Sequence, residues 1–167
     1  GYRYLGRFDE AFKLTKKINM KNNFYVILRQ ILSVSPNPKK WYSTYSLIAS
    51  KSKNALGYYD LSKMYFHGEY NVKVNINKAL EYINKSLDIS KDACAYSLLG
   101  NIHLANNEID KAFELFKKYE SGIFDENECI CGPVFYCYIM YIKNMKDKAY
   151  DYLVKLKTIY KNRLNEN

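Results

Sequence analysis

The stretch that decides the fold runs from Asn54 to Gly122, NALGYYDLSKMYFHGEYNVKVNINKALEYINKSLDISKDACAYSLLGNIHLANNEIDKAFELFKKYESG, because it states one pattern twice. Each copy reads as a helix rich in small residues, a turn, and a second helix that opens on Lys-Ala. The alanines of these openings, Ala79 and Ala112, are 33 residues apart, and Ala149 follows after another 37. Periods of this length are typical of stacked helical hairpins. The sequence therefore predicts an all-α protein.

Apolar spacing and capping residues predict helices along the whole chain. Asn75 or Asn77 is the expected cap of one of them, and Pro36 and Pro38 end another, since proline cannot continue a helix. The expected helices cover approximately 8–18, 24–34, 39–51, 55–67, 76–89, 93–105, 111–119, 130–143 and 148–161 or 163. The polar residues 163–167 are expected to fray.

Two parts of the central stretch resemble known repeats. YYDLSKMYFHGEYNVKVNINKALEYINKSL, residues 58–87, is similar to the Sel-one-like variety of tetratricopeptide repeat. The matching positions are Tyr59, Leu61, Met64, Tyr65, Gly68, Lys78, Ala79, Tyr82 and Lys85. Ser62 and Tyr70 depart from it, because each stands where that repeat has glycine. The next copy resembles a plain tetratricopeptide repeat, with its twelve-residue spacing from Gly100 to Ala112, and residues 4–12 resemble the middle of another.

The resemblance implies a right-handed superhelical solenoid of stacked antiparallel helix pairs, with about four to five units. The units are expected at approximately 1–21, 22–53, 54–90, 91–122 and 123–163, the first of them truncated. We expect residues 1–167 to form a single helical-repeat domain within a longer repeat protein, and the truncated N-terminal end to be a possible surface for self-association.

In these repeat families the first helix of each pair lines a concave surface that binds peptides. Carried over by alignment, the lining comprises Arg29, Tyr59, Lys63, Phe66, Ser97, Asn101, Leu104, Tyr138 and Tyr141. Aromatic rings would anchor an extended peptide, while Asn101 and Ser97 would hold its backbone. The alternative is that half of these aromatic residues belong to the core between repeats. The resemblance implies a non-catalytic scaffold that binds a peptide or protein partner, acidic in character if the basic end takes part.

The charge is distributed unevenly. The net charge is +9, and residues 1–53 alone hold 11 Lys or Arg against 2 Asp or Glu. Such a basic end would attract an acidic protein or a nucleic acid. The second hypothesis is therefore RNA or other polyanion binding, with Trp41 or Tyr42 stacking on bases. Its candidate residues are Arg3, Arg7, Lys13, Lys16, Lys17, Lys21, Arg29, Lys39, Lys40 and Trp41. A solvated basic helix face would explain the same residues.

No catalytic, cofactor-binding or metal-binding motif stands out, so we expect no enzyme activity, cofactor or metal. The two histidines, His67 and His103, are expected to pack rather than catalyse. The four cysteines, Cys94, Cys129, Cys131 and Cys137, lack zinc-ligand spacing and are expected to be buried thiols in a reducing compartment. The sequence has no apolar run long enough to span a membrane. An intracellular, cytoplasmic location is expected.

Overall fold

We analysed a computed structural model that describes residue 10, residues 49–50, residues 53–120 and residues 131–165. Six helices lie in the two long ranges, and neither range contains a strand. They are α1 (Ala55–His67), α2 (Ile76–Ile89), α3 (Ala93–Ala105), α4 (Ile109–Glu120), α5 (Cys131–Ile142) and α6 (Lys146–Asn165), with a 3₁₀ turn (Glu69–Asn71) between α1 and α2. The chain divides into two compact units, Gly1–Ile89 and Ser90–Asn167. The single-domain organisation stays a prediction.

In the N-terminal unit, α1 and α2 form an antiparallel hairpin joined by two buried serines. The Ser62 hydroxyl donates to the Ala79 carbonyl at 2.8 Å, and the Ser86 hydroxyl donates to the Ala55 carbonyl at 2.8 Å. Ala55 opens α1 and Ser86 lies near the end of α2, so the two helices run in opposite directions. Ser62 is thus small enough for the helix contact and adds a hydrogen bond across it.

The connection between α1 and α2 depends on left-handed backbone. Gly68 ends α1 with a φ of 69°, and Tyr70 has a φ of 57°. A Cβ on Gly68 would lie 3.1 Å from Cγ2 of Val74, so glycine suits both the backbone and the space. Asn75 then caps α2, because its Oδ1 accepts from the Lys78 N–H at 3.0 Å. Of the two predicted caps, the structure therefore selects Asn75 over Asn77.

In the C-terminal unit, α3 to α6 pack in sequence order around one aromatic core. The Asp92 side chain caps α3 by accepting from the Ala95 N–H at 3.0 Å. The Tyr119 hydroxyl at the end of α4 donates to the carbonyl of Ala93 at the start of α3, at 2.8 Å. This bond occupies the place of the Ser86 to Ala55 bond in the preceding hairpin, which indicates that the two hairpins are built alike.

Aromatic rings of α4 fill spaces left by glycines on α3 and α5. A Cβ on Gly100 would stand 2.4 Å from Cζ of Phe116, and one on Gly132 would stand 2.2 Å from Cζ of Tyr119. Phe116 also stacks on Phe135 of α5, with ring centroids 5.9 Å apart. Both α4 rings are at most 1% exposed, so α4 is the central element of this core.

The helix bounds confirm the sequence predictions to within one or two residues, except at the end of α6. Helix α6 begins at Lys146, two residues before the predicted start, and continues to Asn165, beyond the predicted end. Asp147 lies in its first turn, where a carboxylate stabilises the positive end of a helix. The predicted helices at 8–18, 24–34 and 39–51 lie outside the described residues except at residues 10, 49 and 50, which are helical.

Candidate functional site

The predicted binding residues of α3 form a stripe that contains two polar atoms without hydrogen-bond partners. Ser97, Asn101 and Leu104 are spaced by four and three residues, which places them on one side of the helix. Ser97 is 3% exposed, and Ser97 Oγ and Asn101 Oδ1 are both buried with no hydrogen-bond partner. Buried polar atoms are nearly always paired with protein groups or ordered water.

The predicted residues of α1 form an equivalent stripe in the N-terminal unit. Tyr59, Lys63 and Phe66 have the same spacing as the α3 residues and are all half-buried. Lys63 Nζ lies 3.5 Å from Oε1 of Glu69 in the following turn, and the Phe66 ring packs against the His67 ring at 4.7 Å between centroids. This stripe therefore presents partly exposed aromatic rings beside a lysine that is already paired.

The predicted residues of α5 are the most exposed of the three sets. Tyr138 is 55% exposed and Tyr141 57% exposed, although both belong to a helix that is otherwise strongly apolar. Helix α5 packs against α3 within the C-terminal unit. The structure therefore places the α3 and α5 residues on neighbouring helices of one unit, which we call the first-helix face of Ser97, Asn101, Leu104, Tyr138 and Tyr141.

The remaining predicted site residues lie outside the described residues. These are Arg29 of the peptide-binding set and the whole polyanion-binding set, Arg3, Arg7, Lys13, Lys16, Lys17, Lys21, Lys39, Lys40 and Trp41. The polyanion hypothesis therefore stays a prediction from the sequence.

A groove on the other side of α3 was missed by the sequence analysis. It has a volume of about 520 Å³ and lies between α3 and α4. Its lining residues are Leu99, His103, Asp110, Lys111, Glu114, Leu115 and Lys118. The lining combines two leucines and a histidine with four charged side chains. Leu99 and His103 lie on the face of α3 opposite Ser97 and Asn101, because a helix repeats every 3.6 residues. The groove is thus a separate feature from the first-helix face.

One rim of this groove is held by an ion-paired glutamate. Glu108 Oε1 accepts from Lys111 Nζ at 2.5 Å, and Glu108 Oε2 lies 2.6 Å from His103 Nδ1. The hydrogen bond from Lys111, followed by those from His103 and Asn106, lowers the pKa of Glu108 from 4.5 to about 2. His103 thus orients the turn between α3 and α4, and the packing role predicted for it stays a prediction. The Glu108 to Lys111 spacing of three residues was the available sequence signal.

The cysteines only partly follow the prediction of buried thiols. Cys137 is buried, and burial raises the pKa of its thiol, while Cys94 is half-buried. Cys131 is exposed at the first position of α5, so the prediction is wrong for this residue. Helical periodicity places Cys131 on the side of α5 that carries exposed Val134 and Tyr138. Cys129 lies outside the described residues, and those described include no group of three potential metal ligands.

None of the helices in the described part of the chain combines the length and apolar character that crossing a membrane requires.

Comparison with known proteins gives one short similarity. A protein of Mus musculus named "BBSome complex member BBS4" is 37% identical over 49 residues, which make up 29% of this chain and 9% of that protein. No family model matches the sequence, and no solved structure matches it. The chain thus covers less than a tenth of the relative, and the similarity is local.

Proposed function

We propose that this protein is a non-catalytic, intracellular scaffold that binds an extended segment of a protein partner on its first-helix face. The observation that carries the proposal is the pair of exposed rings on α5, since Tyr138 is 55% exposed and Tyr141 57% exposed. Such rings give a peptide apolar contact area. Asn101 is half-buried, and its side-chain amide would add a hydrogen bond to the peptide backbone.

The spacing of Ser97 and Asn101 suits an extended backbone. Residues four apart on a helix are separated by about 6 Å along its axis. An extended peptide repeats its orientation every two residues, or about 6.6 Å. One strand-like segment running along α3 would therefore pass both positions, with the side chain of half-buried Asn101 as its polar contact. The exposed rings of Tyr138 and Tyr141 on α5 would supply apolar contact area beside it.

Two further observations support a scaffold. The mouse relative is by its name a member of a complex, and the hairpins of the C-terminal unit pack in sequence order as stacked repeats do. The proposal includes the right-handed superhelical solenoid that the sequence resemblance implies. It also includes the equivalent stripe Tyr59, Lys63 and Phe66 on α1 as a second part of the binding surface.

The test is selection of linear peptides from a display library against the whole protein, followed by affinity measurement on variants. Tyr138→Ala should weaken binding of the selected peptides, because it removes an exposed ring of the first-helix face. Asn101→Ala should also weaken it, because it removes the amide group.

Asn84→Ala is the matched control, because Asn84 is an exposed asparagine of α2, a second helix of the repeat. It should leave peptide affinity unchanged. The proposal fails if no peptide is selected, or if the selected peptides bind the Tyr138 and Asn101 variants as tightly as the original protein.

A further inference from the structure

The last helix exposes an apolar and basic face that the core does not use. Tyr150 is 68% exposed, Leu153 51% and Val154 46%. The buried positions of the same helix, Ala149, Tyr152 and Leu156, lie on its other side and belong to the core. Helical periodicity places Lys146, Lys157 and Lys161 among the exposed apolar residues. We call the surface formed by Lys146, Tyr150, Leu153, Val154 and Lys157 the terminal face.

The terminal face continues onto α5. Lys146 Nζ lies 5.4 Å from the ring centroid of Tyr141, which is itself 57% exposed. A lysine on α6 therefore touches a tyrosine on α5, so the two exposed stripes meet at the turn between the helices. Contiguous apolar surface of this kind usually marks an interaction site.

Comparison with the earlier hairpins shows that these positions are normally covered. The second helices align on Ala79, Ala112 and Ala149. Four residues after these alanines stand Ile83, Phe116 and Leu153, whose exposed fractions are 0%, 0% and 51%. One residue after Ala112 stands Phe113, which is half-buried, whereas its counterpart Tyr150 is 68% exposed. The exposure of the terminal face is thus a departure from the pattern of the chain itself.

In the hairpin before it, the equivalent face holds a helix. Phe113 packs on Tyr136 with ring centroids 5.6 Å apart, and Phe116 stacks on Phe135 at 5.9 Å. Tyr136 and Phe135 both belong to α5. Tyr150 and Leu153 stand at the same distances from Ala149 as Phe113 and Phe116 do from Ala112. Because α5 covers the α4 positions, the α6 positions have the geometry to hold another apolar helix.

The charge of the terminal face differs from that of its internal counterpart. Ile109, which packs against the core, is replaced in the aligned position by Lys146. The side chains of Lys146 and Lys157 flank the apolar residues, while the carboxylates of Asp147 and Asp151 lie toward its edge by helical periodicity. Two copies pairing through this face would set lysines against lysines, whereas an acidic helix would complement them.

We propose that the terminal face is a docking site for an amphipathic helix of a partner polypeptide that carries an apolar stripe flanked by Asp or Glu residues. The helix would cover Tyr150, Leu153 and Val154 as α5 covers Phe113 and Phe116. The terminal face meets the first-helix face at Tyr141 but includes neither Ser97 nor Asn101, so it can bind a helix whether or not the first-helix face binds a peptide.

The probe is a display library of single amphipathic helices randomised on one face, selected against the whole protein. We expect enriched helices to combine apolar residues at three- and four-residue spacing with Asp or Glu beside them. Leu153→Glu should weaken their binding about tenfold or more. Lys157→Glu should weaken it about threefold to tenfold, and added salt should act in the same direction.

Lys148→Glu is the matched control, because Lys148 is an exposed lysine of the same helix whose position lies outside the terminal face. It should change affinity less than about twofold, and circular dichroism should show all variants to be folded. Helices that bind equally well to the Leu153→Glu protein would overturn the proposal. Helices that bind the Lys157→Glu and Lys148→Glu proteins with equal affinity would also overturn the proposal.

Two further outcomes would assign the face to another occupant and overturn the proposal. One is self-association of the protein in sedimentation experiments that Leu153→Glu abolishes, which would make a second copy the occupant. The other is binding to phosphatidylserine vesicles that Leu153→Glu abolishes while no helix is selected. A basic amphipathic helix can lie on an anionic membrane surface, so the vesicle assay is a necessary comparison.

Discussion

Phe116 and Tyr119 illustrate how single residues set the spacing between helices of this protein. Each ring occupies the space that a side chain on a neighbouring helix would need, at Gly100 and at Gly132. The twelve-residue spacing marked Gly100 and Ala112 as contact residues, and Ala112 is indeed fully buried. The ring that fills the space at Gly100 is one turn further along, at Phe116. Sequence spacing thus located the contact but not the atoms that make it.

Gly100→Ala should lower the free energy of unfolding by about 1–3 kcal/mol, because the new methyl group would overlap a fully buried ring. Urea unfolding measures the change. In a Phe116→Leu background the cost of Gly100→Ala should be smaller, since the shorter side chain leaves room. An equal cost in both backgrounds would show that Phe116 is not the residue that Gly100 accommodates.

Glu108 gives a pH dependence with a defined sign. Its pKa is about 2 in the folded protein and near 4.5 without its partners. A carboxyl group with a lowered pKa stabilises the folded state above pH 4.5, and this contribution disappears as the pH falls from 4.5 toward 2. Glu108→Gln should therefore lower stability at pH 6 and make little difference at pH 2. Urea unfolding across this range measures it.

Glu114→Gln provides the comparison for Glu108, because Glu114 is an exposed glutamate of the same hairpin. At pH 6 it should change stability less than Glu108→Gln does, because the Glu114 side chain is exposed. A Glu108 variant whose deficit persists unchanged at pH 2 would contradict the ion-paired carboxylate.

At the scale of the elements, helix positions followed from local signals. Three helices are capped by the side chains of Asn54, Asn75 and Asp92. Each of these side chains accepts a hydrogen bond from the backbone N–H three residues ahead. Capping and apolar spacing act within a few residues, so they can be recognised in the sequence. The end of α6 at Asn165 could not be recognised in the sequence, because the residues near it are polar and give no stop signal.

The connection between α1 and α2 provides a test at this scale. Tyr70 stands in left-handed backbone at a position where the similar repeats have glycine. Tyr70→Gly and Tyr70→Ala both remove the ring, and only glycine adopts this backbone without cost. The glycine variant should therefore be more stable than the alanine variant by about 1 kcal/mol. Thermal unfolding of the pair measures the difference.

The same pair of substitutions at Leu80 is the control, since Leu80 lies inside α2. There the alanine variant should be the more stable by about 1 kcal/mol. If alanine is favoured at Tyr70 as well, the left-handed conformation of this residue is wrong.

For the whole molecule, the open question is whether the basic end binds nucleic acid. The net excess of positive charge lies in residues 1–53, whose described residues are few. On the scaffold proposal we expect no measurable affinity for mixed-sequence RNA, even at low salt. Tight binding with a steep dependence on salt would instead favour the polyanion hypothesis, because each phosphate contact releases counterions. A salt titration with labelled RNA decides between them.

The sequence by itself determined the helical class, the positions of the six described helices and the register of their small contact residues. These follow from periodicity, capping and spacing, which are local properties. Only the tertiary structure decided which polar atoms of Ser97 and Asn101 are buried without a hydrogen-bond partner. It also decided that aromatic rings of α4 fill the spaces beside Gly100 and Gly132. Finally, it decided that Leu153 is exposed although Phe116, at the equivalent position, is covered. Burial and hydrogen-bond satisfaction depend on which helices pack together, and residues at equivalent sequence positions need not have equivalent neighbours.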